Sequence, residues 1–207
     1  MSLVKICGLK RHEDIEYVNR YKPDYIGFVF AESRRRVSLS EAAQLSAGLD
    51  KDIKKAGVFV NAGLEEIAAA VEACSLDAVQ IHGEEAPDFL VKIKERTGYQ
   101  TQVWKSIRVI DKSSLDLLYS YDADAYLLDT FVKGSYGGSG QIFDWDIAAK
   151  AASDKRIVLA GGLNSENVKR AIKAVKPYIV DVSSGVETEG FKDEIKIRNF
   201  IEIARAI

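Results

Sequence analysis

The chain has 207 residues, 47% of them hydrophobic, with 29 basic and 31 acidic side chains and a formal net charge of -2. That length suits one domain with a sizeable core, and the balanced charge offers no basic field for nucleic acid and no polybasic run for an anionic membrane. No apolar stretch is long enough to span a bilayer, the start lacks the charged and apolar regions of a signal peptide, and Cys7 and Cys74, outside any CxxC spacing, point to a reducing cytoplasm rather than a disulfide framework.

Short apolar runs alternate with longer helical patterns from end to end. The spacing predicts strands at 4–7, 25–30, 56–60, 78–82, 101–107, 125–129, 157–160 and 179–183. The second helix opens at Ser38 and Glu41, which have the spacing of a capping box. Leu64, Ile67, Ala68 and Val71 recur at helical intervals, as do Val168, Ala171, Ile172 and Val175, and Ile197, Phe200, Ile201 and Ala204 near the end. Pro23 and Pro177 stand just before strands, where a helix must already have stopped. Several strands lack polar alternation, as parallel strands covered by helices do. Eight such units of roughly 25 residues, without a linker, suit an α/β protein folded as one closed TIM (β/α)8 barrel over residues 1–207. An open doubly wound sheet is the alternative, with little room for its edges.

Barrel chemistry sits where strands end. Lys5 and Cys7 share a face of the first strand, as do Gln80 and His82 on the fourth and Asp181 and Ser183 on the eighth. The apolar Ile6, Ile81 and Val182 between them suit the helix side, so polar groups converge inside the barrel mouth. Gly161 and Gly162 after the seventh strand, with Ser183, Ser184 and Gly185 after the eighth, suit a phosphate, because glycine lets backbone N–H groups approach it closely. The segment 133–140 holds four glycines in eight residues and can close over a site or serve as a plain connection. Two histidines, His12 and His82, are too few for a multi-histidine metal site. Cys74 ends an amphipathic helix and reads as packing. Lys105 reads as a pocket or structural lysine, and Arg34 and Arg36 as solvated charges.

These residues resemble the phosphoribosylanthranilate isomerase family. The matching segments are Lys5-Ile6-Cys7-Gly8-Leu9, Gly27-Phe28-Val29-Phe30, Ser33 to Val37, Gln80-Ile81-His82-Gly83, Leu128-Asp129, Gly137-Gly138-Ser139-Gly140, Gly161-Gly162-Leu163 and Asp181-Val182-Ser183-Ser184-Gly185-Val186-Glu187. They run in order from the first strand to the last. The resemblance implies a cytoplasmic enzyme of tryptophan biosynthesis, a monomer or homodimer that needs no cofactor. It would isomerise an N-phosphoribosyl aminoaldose, a small phosphorylated sugar, to an aminoketose. It also implies Cys7 as general base and Asp129 as general acid. A buried carboxylic acid can protonate a ring oxygen, and a thiolate near positive charge from Lys5 or Arg35 can take a carbon-bound proton. Within the arginine run, spacing from Ser33 and Val37 favours Arg35 for the substrate carboxylate, which an arginine can grip with two hydrogen bonds. His82 and Lys5 then serve the substrate pocket.

Three alternatives compete. A histidine-pathway isomerase would need a second phosphate site in the first half of the barrel, where Asn61-Ala62-Gly63 and His82-Gly83-Glu84 are poor candidates. A metal-dependent epimerase is disfavoured by the histidine count. A non-catalytic phosphate-binding barrel would need neither Cys7 nor Asp129.

Overall fold

The computed structural model describes residues 1–109, 112–129 and 145–207. In chain order the main elements are β1 (Leu3–Cys7), α1 (His12–Tyr21), β2 (Tyr25–Val29), α2 (Leu39–Ala47), β3 (Lys54–Phe59), α3 (Leu64–Cys74), β4 (Ala78–Ile81) and α4 (Pro87–Thr97). They continue with β5 (Gln102–Arg108), α5 (Leu117–Ser120), β6 (Ala125–Asp129), α6 (Trp145–Ala152), β7 (Ile157–Ala160), α7 (Val168–Val175), β8 (Ile179–Val182) and α8 (Glu194–Arg205). The strands pair in sequence order and β8 returns to β1, so the sheet closes as the sequence predicts. Two features were not foreseen. The fifth helix is a 3-10 turn at Lys112–Asp116 followed by a single α turn, and a hairpin of β9 (Glu187–Thr188) and β10 (Phe191–Lys192) intervenes before α8.

Local chemistry explains the helix ends. At α2 the Ser38 hydroxyl accepts from Glu41 N, and the Glu41 carboxylate accepts from Ser38 N. Asp193 caps α8 by accepting from Lys196 N. Lys22 and Lys176 close α1 and α7 in the left-handed conformation, each just ahead of a proline. The expected inner faces of α7 and α8 are buried. On α3 the buried residues are instead Ile67, Ala68, Ala70 and Cys74, with Leu64 and Val71 only partly covered.

Side-chain parity divides the apolar interior in two. Ile6, Ile26, Phe28, Ile81 and Val182 point outward against the helices, in the larger cluster. Tyr25, Ala56, Ala78, Trp104, Ala125, Val158 and Ile179 point inward and fill the barrel. The small alanines make room for Trp104, whose ring meets Tyr25 edge-on at 5.1 Å. Burying each large side chain contributes about 1.5–3 kcal/mol. Above this plug Lys5, Gln80 and Asp181 form a polar layer, and the site lies above that.

At the closed end an aspartate repeats. Asp24, Asp77 and Asp124, each just before an even-numbered strand, accept from Val4 N at 2.9 Å, Lys55 N at 2.8 Å and Val103 N at 2.7 Å. Each thereby clips its strand to the preceding one. Tyr178 stands in this place before β8, where its backbone N–H donates to Ile157 O at 2.9 Å and no carboxylate clip is available from its side chain.

Candidate active site

A cleft of about 430 Å³ opens at the C-terminal ends of the strands. Its wall includes Cys7, Arg35, His82, Asp129, Gly161, Gly162, Ser183 and Ser184, with Val29, Val58 and Leu127 as apolar surface. Most of the expected site residues therefore meet in one place. Lys5 and Gly185 do not reach the wall.

Lys5 lies one layer below. It is fully buried, and its ammonium donates to Gln80 Oε1 at 2.8 Å and to Asp181 Oδ2 at 3.1 Å. Burial pulls its pKa down, but Asp181 and Cys7 outweigh burial and raise it, so the cation is secure. Parity correctly gave Lys5 the inner face. It does not give height, which is why the side chain is a floor residue rather than a cleft residue.

Cys7 ends β1 beneath Gly27, where an added Cβ would fall 2.7 Å from the Cys7 Sγ. Only glycine leaves that space. Burial pushes the Cys7 thiol up from its ordinary value, the neighbouring Lys5 opposes this, Asp181 adds to it and Lys192 opposes it. The positive charge expected beside the sulfur is present, yet burial outweighs it. The Ser183 hydroxyl donates to Cys7 O at 3.0 Å, tying the eighth strand's turn to the end of β1.

His82 follows β4, with Nδ1 3.1 Å from Gln80 Nε2 and Nε2 3.4 Å from Ser106 Oγ and 4.0 Å from Asp129 Oδ2. Burial pulls the imidazole below its ordinary pKa, with Asp129 partly opposing, so it is neutral at neutral pH. The pairing with Asp129 is then not an ion pair.

Arg35 is held by Glu187, donating from Nε at 2.6 Å and from Nη2 at 2.9 Å. Arg34 and Lys192 also reach Glu187, at 2.7 and 2.9 Å. Burial works to raise the Glu187 carboxyl, but Arg35 and Lys192 overcome it and hold it down to about 2. Lys192 donates as well to Ser183 O at 3.0 Å. One carboxylate, with Lys192 beside it, thus links the arginine segment to the serine turn.

Gly161 and Gly162 have φ of +87° and +68°, a left-handed backbone that suits glycine, and they line the cleft together with Ser183 and Ser184. Gly185 sits behind that turn, where a Cβ would fall 1.9 Å from Leu163 O. It lets the two loops pack together. In the first half of the barrel Glu85 accepts from Asn61 N at 2.6 Å, and Asn61 Oδ1 accepts from Glu84 N at 3.2 Å. Backbone donors that a second phosphate would need are taken by the chain's own side chains. Lys105 lies outside the barrel and donates to Gly83 O at 2.5 Å, a structural role. The glycine-rich segment 133–140 lies outside the described residues.

The family model described as N-(5'-phosphoribosyl)anthranilate (PRA) isomerase matches residues 4–203. The chain belongs to this family. It is 56% identical to the PRA isomerase of Acetivibrio thermocellus over 206 residues, which cover 97% of this chain and 94% of that protein. It superposes on the Thermotoga maritima PRA isomerase with a TM-score of 0.89 at 40% identity, covering all of both chains. A further PRA isomerase structure, bound to reduced 1-(o-carboxyphenylamino)-1-deoxyribulose 5-phosphate, matches with a TM-score of 0.87 at 37% identity over all of both chains.

Within this PRA isomerase fold, reading the sequence missed the roles of Glu187, Lys192, Gln80 and Ser106. Glu187 stood in a recognised segment, yet its partner Arg35 is 152 positions away. The available signal was parity, which places Ser106 and Gln80 on the inner face. Among the described residues no group of three His, Cys, Asp or Glu is disposed to hold a metal ion, and no helix is long and apolar enough to cross a membrane.

Proposed function

We propose that the chain, as one catalytic domain over 1–207, converts N-(5-phosphoribosyl)anthranilate to 1-(2-carboxyphenylamino)-1-deoxyribulose 5-phosphate, an Amadori rearrangement. The observation that carries this is the composition of one cleft. A thiol, a carboxyl, an arginine and a glycine–serine turn line it together. The arginine suits a carboxylate on the substrate and the turn suits a phosphate.

Asp129 gives its proton to the furanose ring oxygen as the C1–O bond breaks, leaving a protonated Schiff base. Cys7, as thiolate, removes the proton from C2, and the enolamine becomes the ketone as the Cys7 thiol returns a proton to C1 and the C2 hydroxyl proton passes to the Asp129 carboxylate. Lys5 supplies the positive charge beneath the sulfur. Arg35 receives the anthranilate carboxylate, His82 borders the acid, and Gly161, Gly162, Ser183 and Ser184 receive the phosphate, with Gly185 setting the turn. The Glu85–Asn61 arrangement argues against a bis-phosphorylated substrate. Two free thiols support a reducing, cytoplasmic location.

The test is turnover of freshly made substrate, followed by loss of anthranilate-type fluorescence. Wild type should turn over, and Cys7→Ala and Asp129→Asn should each lose about 100- to 10,000-fold in kcat while product binding survives. A folded wild-type protein that binds the product but does not turn over would point to a phosphate-binding barrel instead.

A further inference from the structure

We propose that Gln80 is a positioning residue: oriented by Lys5, it fixes His82 as the tautomer that carries its proton on Nε2, toward Asp129. The inference rests on Asp129 being the acid of the proposed isomerase reaction.

The chain of reasoning starts at Lys5, whose ammonium has donors and no acceptor. The Gln80 atom 2.8 Å from it is therefore the amide oxygen. The Gln80 NH2 must then be the group 3.1 Å from His82 Nδ1. An NH2 group only donates, so Nδ1 presents its lone pair, and the one proton of the neutral ring sits on Nε2. Lys5 is 0% and Gln80 2% exposed, so solvent offers neither a competing partner.

The consequence falls at the other nitrogen. Nε2 stands 3.4 Å from Ser106 Oγ and 4.0 Å from Asp129 Oδ2. In the opposite tautomer a bare Nε2 would face the Asp129 acid and compete for the proton that the sugar ring oxygen must receive. With Nε2 protonated and Nδ1 engaged, the imidazole cannot take it. Once Asp129 has given its proton to the ring oxygen, the same Nε2–H is a ready donor to the new carboxylate. The relay keeps the acid loaded before the transfer and stabilises its anion afterwards.

The protein has only two histidines, and His12 is exposed, so long-range ¹H–¹⁵N correlation spectra read the His82 tautomer directly. The wild type should show a bare Nδ1 and a protonated Nε2. Gln80→Glu keeps the shape but accepts from both neighbours, so the His82 proton should appear on Nδ1. In that variant kcat should fall about tenfold, the equivalent of one hydrogen bond to a charged group, with KM within roughly twofold. Gln80→Met, which neither donates nor accepts strongly, should show mixed tautomers and an intermediate kcat, and it carries the test if Gln80→Glu does not fold. A wild-type spectrum with the proton on Nδ1, or a tautomer switch that leaves kcat unchanged, overturns the inference. Absence of wild-type turnover would instead sink the isomerase assignment, while the spectrum would still decide the tautomer.

Discussion

Replacing Lys5 by methionine tests the polar floor of the site. The ammonium and Asp181 Oδ2 are 3.1 Å apart, with side chains 0% and 7% exposed. At an effective dielectric constant of about 20 their attraction is about 5 kcal/mol. Taking each ion out of water costs several kcal/mol, so the intact pair adds little net stability. Breaking it is another matter. Among the described residues Asp181 Oδ1 has no hydrogen-bond partner, so Lys5→Met leaves a buried carboxylate without the ammonium that compensates it. The expected loss is about 3–5 kcal/mol. Lys5→Met/Asp181→Asn removes both charges and should recover much of that, giving a coupling energy of about 2 kcal/mol. The assay is urea denaturation of the four proteins at pH 7. The Lys5 pKa is raised on folding, so its contribution is fully present at that pH and fades only as pH climbs past the ordinary lysine value of 10.5. Single-mutant losses that add within about 0.5 kcal/mol would refute the reasoning.

Gly27→Ala puts a methyl 2.7 Å from the Cys7 Sγ, and the sulfur must move. Overpacking of this kind costs about 1–3 kcal/mol, and kcat should drop more than KM rises; steady-state kinetics beside a denaturation curve separate the two effects. Glu187→Gln addresses acid stability. The wild-type carboxyl sits at about 2 against an ordinary 4.5, so its ionised form stabilises the fold above 4.5, and that stabilisation is lost as pH falls from 4.5 toward 2. The thermal midpoints of wild type and variant should therefore converge across that window, and a constant gap would disprove the linkage.

The barrel was legible because each strand obeys one parity. Lys5, Gln80, His82, Asp181 and Ser183 were placed on the inner face by counting in twos, and all five lie there. Depth was not legible, since alternation says nothing about height along the barrel axis, and Lys5 proved to be floor rather than wall. Long-range pairings were hidden for a different reason. Arg35 meets Glu187 only after the barrel closes, and no local pattern of either segment records the other. The β9–β10 hairpin escaped because two-residue strands carry no periodicity. The 3-10 turn and short α5 together span only Lys112 to Ser120, too short a run for a helical period to show. The aspartate clips repeat at unequal intervals, which conceals them from a search for a fixed period.

Those clips have a consequence for how the chain may be rearranged. Asp24 binds β2 to β1, Asp77 binds β4 to β3 and Asp124 binds β6 to β5, so the closed end is built from adjoining strand pairs. Each clip joins two positions within one continuous stretch of chain. New termini placed between α2 and β3, or between α4 and β5, leave every clip on an unbroken segment. New termini between α1 and β2 would send Val4 and Asp24 to opposite ends of the polypeptide and turn a local closure into the last contact to form. For circular permutation, the bottom rim thus marks its own permissible cuts, although the chemistry takes place at the opposite mouth.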